Sequence, residues 1–407
     1  MKTAPKSLRL HIALFGRTNV GKSSFLNLIT GQDVSIVSEQ PGTTTDVVEK
    51  TMELLPIGPV VFIDTAGLDD ATVLGGKRIE KTEKVFDRAD VILLICEGNQ
   101  FGDYEKKVSS LAEEKKIPVI LIRNKSDLSD VSDSADISCN STDLSSREKV
   151  LSQLKAKLLD VCPEEFIQPP PLVGDLVRPG GLAMLIVPID LQAPKGRLIL
   201  PQVSTIRDSL DNDAATLVVK EREYTHMLNQ LKMLPDIVIC DSQVVLKMVG
   251  DTPNHIPCTT FSILFARLKG DLPKLAAGAA AIDQLKDGDK VLIAESCSHH
   301  AAEDDIGRVK IPRWLRQYTG CDLAIDVYAG RDFPDNLSEY SLAVQCGGCM
   351  HNRRSILSRI EKCEAACVPI TNYGLCISQT QGVLKRVLSP FPAALDAYER
   401  TAEKATV

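Results

Sequence analysis

The sequence predicts an α/β protein of three domains, each built on a mainly parallel sheet. Short apolar runs of strand length alternate with helix-patterned stretches along the chain. A Gly-rich turn, Gly16 to Ser23, follows the first of these runs directly. Pro169-Pro170-Pro171 interrupts the alternation with a stiff, helix-breaking segment before it resumes. A chain of 407 residues exceeds one ordinary core. The expected division is 1–168, 169–263 and 264–407.

In the first domain the runs Leu10–Phe15, Val60–Asp64, Asp90–Cys96 and Pro118–Arg123 read as buried parallel strands. Helical stretches near 22–30, 77–87, 103–115 and 145–161 separate them, which is a doubly wound arrangement. In the second, Met184–Val187, Thr216–Val219 and Ile237–Cys240 read as strands. In the third, helical Leu272–Leu285 precedes strand Lys290–Glu295, helix 308–318 precedes strand Leu323–Val327, and strand Leu342–Gln345 precedes helix 353–366. Cys297 and Cys346 each fall just past a predicted strand end, the edge where open α/β sheets assemble ligand sites.

Composition bounds the chemistry. The formal net charge of −7 argues against a large nucleic-acid footprint, which needs a basic surface. The N-terminus has no signal-peptide core, and the longest strongly apolar runs are strand-sized, so no membrane span is expected. Twelve cysteines without a secretion signal point to reduced thiols or metal ligands in a cytoplasmic compartment.

Gly16-Arg17-Thr18-Asn19-Val20-Gly21-Lys22-Ser23 fits the P-loop pattern between a strand and a helix. Its glycines let backbone N–H groups wrap phosphates, Lys22 neutralises β/γ charge, and Ser23 is placed for Mg²⁺. Gly16, Asn19, Val20, Gly21, Lys22, Ser23 and Ser24 form the candidate phosphate cradle. Asp64-Thr65-Ala66-Gly67 ends the second run; Asp64 would hold the Mg²⁺ shell, and the Gly67 amide would sense the γ-phosphate. Asn124-Lys125-Ser126-Asp127 follows the fourth run, where Asp127 can accept both guanine N1–H and N2–H, a donor pair adenine lacks. Ser138-Cys139-Asn140 can close over guanine O6 through backbone amides.

In this order the elements resemble the translation-factor-like GTPases of the Era and MnmE type, with a Ras-like P-loop domain, over about 8–162. The resemblance makes Pro41–Asp46 a first switch, with Thr44 as the Mg²⁺ ligand and Thr43 and Thr45 as weaker choices. Lys22, Thr44, Asp64 and Gly67 are then the candidate catalytic set. Leu68 stands where Ras-like enzymes carry a catalytic glutamine. Relatives lacking that glutamine often use an asparagine at the Asn19 position to hold K⁺, which implies slow, K⁺-stimulated hydrolysis; an ordinary loop role for Asn19 is the competing reading.

Cys297 and His299, then Cys346 and Cys349, form a soft donor set. On chemistry alone, a closed zinc site and a 4Fe–4S cluster both fit, with Gly347-Gly348 favouring the cluster slightly because bare amides can approach its sulfides. These motifs, with Thr259–Arg267 and Lys269-Gly270-Asp271-Leu272, resemble HydF, the maturation GTPases of FeFe-hydrogenases. That family's signature is Cys-x-His, a long spacer, then His-Cys-x-x-Cys; here Gln345 replaces the second histidine.

The resemblance implies a GTPase domain, a dimerisation domain and a cluster domain, with Cys297, Cys346 and Cys349 holding 4Fe–4S. The fourth position would go to His299, another side chain, water or cargo; His300 and His351 are lesser candidates. It further implies a homodimer that receives a diiron subcluster from two radical-SAM maturases and delivers it to apo FeFe-hydrogenase. Cys321, Cys363, Cys367 and Cys376 also lie in the third domain; Cys363 and Cys367 fall on one helix face, where core packing is the first reading and metal ligation the competing one. Two other readings compete: a ribosome- or tRNA-associated GTPase with a metal-stabilised C-terminal domain, and a GTP-regulated redox sensor.

Overall fold

The structure is a computed structural model; it describes residues 6–31, 48–65, 83–98, 101–127, 135–167, 170–188, 198–296, 305–330 and 332–406. The chain divides into two compact units, Met1–Pro169 and Pro170–Val407. Among the described residues no helix is long and apolar enough to cross a membrane.

The first unit is an α/β layer structure. Its strands are β1 (Leu10–Phe15), β2 (Val48–Leu54), β3 (Gly58–Asp64), β4 (Val91–Glu97), β5 (Val119–Asn124) and β6 (Ile137–Ser138). They form one sheet in the order β2-β3-β1-β4-β5-β6, parallel except for β2, which runs antiparallel to β3. Every residue of β1 is buried, as expected of a central strand covered on both faces. One face packs Ile12, Leu14, Val60 and Leu93 against helices Lys22–Thr30 and Arg147–Val161. The opposite face packs Ala13, Phe15, Val61 and Ile92 with Val108 and Ala112 of helix Asp103–Glu114.

The strands expected at 10–15, 60–64, 90–96 and 118–123 are all present within two residues of their expected bounds. The expected helix at 77–87 lies partly outside the described residues.

The second unit holds two four-stranded, all-parallel sheets. The first contains β7 (Leu182–Ile186), β8 (Ala215–Val219), β9 (Ile237–Cys240) and β10 (Cys258–Thr260), in the order β10-β9-β7-β8. The second contains β11 (Lys290–Ala294), β12 (Ala324–Tyr328), β13 (Leu342–Gln345) and β14 (Ile370–Asn372), in the order β12-β11-β13-β14. A single hydrophobic core, from Leu172 to Tyr398, runs through both. Helix Phe261–Lys269 follows β10 directly and contributes Ile263, Leu264 and Phe265 to that core. At the entrance to the unit, one Asp208 carboxylate oxygen accepts the N–H groups of Leu172, Val173 and Gly174 at 3.0, 2.7 and 2.8 Å.

Two sequence expectations about Cys367 are corrected, its shared helix face with Cys363 and its place in the core. Cys363 and Cys367 do not share a helix face, because helix Arg353–Ala365 ends before Cys367. Cys367 adopts a left-handed backbone, φ 57°, and is exposed. There its N–H and that of Val368 donate to the carbonyls of Glu364 and Cys363, closing the helix end. Cys363 and Cys376 are core residues, and burial pushes each thiol up to about 12.

Candidate functional site

The phosphate cradle forms between β1 and helix Lys22–Thr30. Gly21 has φ 92°, and a Cβ there would fall 2.2 Å from Asn124 Nδ2, so the position admits only glycine. Asn19 also adopts a left-handed backbone, φ 66°, which asparagine tolerates better than most residues. The Lys22 ammonium donates to the carbonyls of Gly16 and Arg17, at the mouth of the loop. Ser23 Oγ donates to Asp64 Oδ2 at 3.2 Å, which brings together two of the expected Mg²⁺-site oxygens. Val20 and Lys22 are buried, whereas Ser24 is exposed. Thr44 and Gly67 lie outside the described residues, as do Thr43, Thr45 and Leu68.

Asn124 joins this cradle to the base-recognition loops. Its Nδ2 donates to Val20 O at 2.8 Å, and its Oδ1 accepts from Ser141 N at 2.9 Å and Ser141 Oγ at 2.6 Å. The Ser126 N–H donates to Cys139 O, and the Cys139 N–H to Arg123 O, which holds the Ser138–Cys139 segment beside Asn124–Asp127. Lys125 donates to Glu97 Oε2 at 2.8 Å. Asp127 is exposed at the end of this loop, so its carboxylate is open to a base. Burial pushes the Cys139 thiol up to about 11, leaving it a neutral packing group.

Two contacts here escape sequence reasoning. Arg17 makes a two-pronged ion pair with Glu105, Nε to Oε1 at 2.9 Å and Nη2 to Oε2 at 2.8 Å. Burial opposes ionisation of Glu105, but hydrogen bonds from Arg17 and the Gly102 N–H hold its carboxyl below the ordinary value. Ser141 is the other: a serine in a loop carries no signal of its own.

The thiol site assembles in the second unit. Ala294 and Gln345 are register partners at the carboxyl ends of β11 and β13, and the Cys346 N–H donates to Ala294 O at 2.9 Å. Ser296 donates its N–H to Cys346 Sγ at 3.1 Å, and its Oγ lies 2.7 Å from the same sulfur. Cys346 and Cys349 are partly exposed. Between them, Gly348 has φ 64°, and a Cβ there would meet Ile356 Cδ1 at 2.6 Å. Burial and the neighbouring Cys346 raise the Cys349 thiol, while Lys269 draws it down.

Cys297, His299 and His300 lie outside the described residues. On either side of 297–304, Glu295 and Arg308 form an ion pair at 2.9 Å. Among the described residues no three His, Cys, Asp or Glu side chains gather as a metal site; the described part supplies Cys346 and Cys349. Gln345 is buried, and its Oε1 has no hydrogen-bond partner among the described residues. His351 Nε2 lies 3.2 Å from Gly330 O. Arg353 donates to the carbonyls of Leu268 and Gly270, a structural tie.

Lys269, at the end of helix Phe261–Lys269, is 2% exposed. Its Nζ donates to Gly348 O at 3.0 Å, His351 O at 2.9 Å and Cys349 O at 3.5 Å. Burial lowers its ammonium to about 8, while Cys349 and Cys346 pull it upward.

The fold and cradle of the first unit define a P-loop GTPase domain, with sites for GTP and Mg²⁺. Residues 11–125 match the family model described as 50S ribosome-binding GTPase. Residues 172–270 match the Hydrogen maturase F dimerization domain, and 273–390 the Hydrogen maturase F tetramerization domain. The chain belongs to the hydrogen maturase F family.

Similar curated proteins match the GTPase domain. The GTPase Der of Deinococcus deserti is 39% identical over 126 residues, 30% of this chain and 28% of that protein. The tRNA modification GTPase MnmE of Nitrosomonas eutropha is 38% identical over 122 residues, 30% of this chain and 27% of that protein. The chain thus spans less than a third of the length of these relatives. Among solved structures, the G domain of the T. maritima FeoB iron transporter matches at 22% identity and TM-score 0.29, covering 38% of this chain and 98% of that one.

Proposed function

We propose that this chain is a GTP-hydrolysing maturation factor for FeFe-hydrogenase, holding a 4Fe–4S cluster on Cys297, Cys346 and Cys349. The observation that carries the cluster reading is the contact between Ser296 and Cys346 Sγ. It brings the residue next to Cys297 onto a sulfur that is 50 positions away in the chain. The donor chemistry fits the group: Cys346 Sγ accepts the Ser296 N–H, and the Lys269 ammonium donates to backbone carbonyls of the Cys346–His351 loop. The orphaned Gln345 Oε1 adds a buried oxygen one residue from Cys346. A bound cluster would supply a site on iron where a bridging ligand of a diiron cargo can attach and leave. His299 remains the first choice for that fourth position, in competition with water or cargo.

In the same reading Lys22 binds the β/γ-phosphates, Ser23, Thr44 and Asp64 organise Mg²⁺, and Asp127 selects guanine. Asn19 holds K⁺, so hydrolysis is slow and K⁺-stimulated. GTP acts as a switch of affinity for partners: apo FeFe-hydrogenase and two radical-SAM maturases. The protein works as a cytoplasmic homodimer. Anaerobic reconstitution with iron and sulfide, followed by EPR, tests the cluster; wild type should give a 4Fe–4S signal that Cys297→Ala, Cys346→Ala and Cys349→Ala each diminish. A colourless wild type with one stoichiometric zinc would overturn it. Equal GTPase rates in Na⁺ and K⁺ would remove the K⁺ role.

A further inference from the structure

Lys269 presents an electrostatic imbalance. Its ammonium is buried, and its three hydrogen-bond partners are neutral carbonyls of the Cys346–His351 loop. The Phe265 ring lies 5.4 Å from Nζ. No carboxylate pairs with it among the described residues. Burying an uncompensated charge is costly, and a neutral donor could clamp a loop without that cost. The loop whose carbonyls it holds carries Cys346 and Cys349, and one of those carbonyls is Cys349's own.

We infer that Lys269 is a positioning residue for the metal centre, clamping the Cys346–Cys349 loop while its charge balances the anionic sulfur site. The inference rests on the cluster reading above and deepens it. Helix Phe261–Lys269 makes the clamp rigid. Thr260 Oγ1 caps its first turn by accepting the Ile263 N–H, and Arg353 ties the carbonyls at its end to the helix that follows the thiol loop. Lys269 lies in the segment matching the dimerization domain, whereas the loop it clamps lies in the segment matching the tetramerization domain. The clamp therefore joins two family domains at the sulfur site.

A positive charge beside a cluster favours the reduced, more negative state and so raises its reduction potential. The test uses the full chain, reconstituted anaerobically with iron and sulfide, as wild type and as Lys269→Arg, Lys269→Gln and Lys269→Met. The readouts are the potential from an EPR-monitored redox titration and the rate of iron loss to a chelator. Lys269→Gln keeps a donor but removes the charge, so its potential should be more negative than that of wild type. Lys269→Arg should restore the wild-type potential. Lys269→Met loses clamp and charge, and should bind iron about 10- to 100-fold more weakly. If Lys269→Met fails to fold, the glutamine and arginine variants still decide the matter.

A wild-type cluster with unchanged potential and iron loss in the glutamine variant would overturn the inference alone. A wild type that takes up no cluster would overturn the cluster reading, and this inference with it.

Discussion

Single side chains set the limits of the nucleotide site. Gly21 combines a left-handed backbone with a Cβ position occupied by Asn124 Nδ2. Gly21→Ala should cost about 1–3 kcal/mol of strain in the bound geometry. GTP affinity should fall by about 10- to 100-fold, read by fluorescent-nucleotide titration, with the far-UV circular dichroism of the chain preserved. Glu105 makes a pH prediction. Its folded-state carboxyl lies below the ordinary 4.5, so its contribution is present above that value and is lost as pH falls through the folded value. Glu105→Gln should lower the thermal midpoint of the first unit at neutral pH, and the gap from wild type should narrow in acid below 4.5. A gap that stays constant with pH would show that the carboxylate charge is not what anchors Arg17.

At the scale of elements, the entrance to the second unit depends on one carboxylate. Asp208 satisfies three consecutive backbone donors with a single oxygen, so Asp208→Ala leaves all three to water or to nothing. The loss should be about 1–3 kcal/mol, measured by denaturant unfolding of the second unit. Legibility also divides at this scale. The central strands of each sheet are readable because burial on both faces makes their sequences continuously apolar, as in Val91–Cys96. Strand β2, Val-Glu-Lys-Thr-Met-Glu-Leu, is not, because an edge strand carries charges that break the apolar signal. Strands β10 and β14 are three residues each, too short for any period to show. The end of helix Arg353–Ala365 is hidden because Cys367 takes a left-handed conformation that its residue type does not announce.

For the whole molecule, the motifs are legible and their connections are not. Spacing alone puts Ser23 near a phosphate and Cys346 past a strand end. Spacing cannot show Asn124 bonded to Val20, 104 positions away, or Lys269 reaching the Cys346 loop across 80. A lysine closing an amphipathic helix reads as a favourable charge at the C-terminal dipole, with nothing to mark it as buried.

The neighbouring positions of β11 and β13 have a further consequence, for chain entropy. A metal group holding both Cys297 and Cys346 would be a cross-link, closing a long loop of chain in the unfolded ensemble much as a disulfide would. On the loop-entropy model a closure of that length contributes about 4 kcal/mol. Iron loading should therefore raise the unfolding midpoint of the second unit in wild type, and Cys297→Ala should lose most of the gain. The thiol site would then staple the centre of its own sheet.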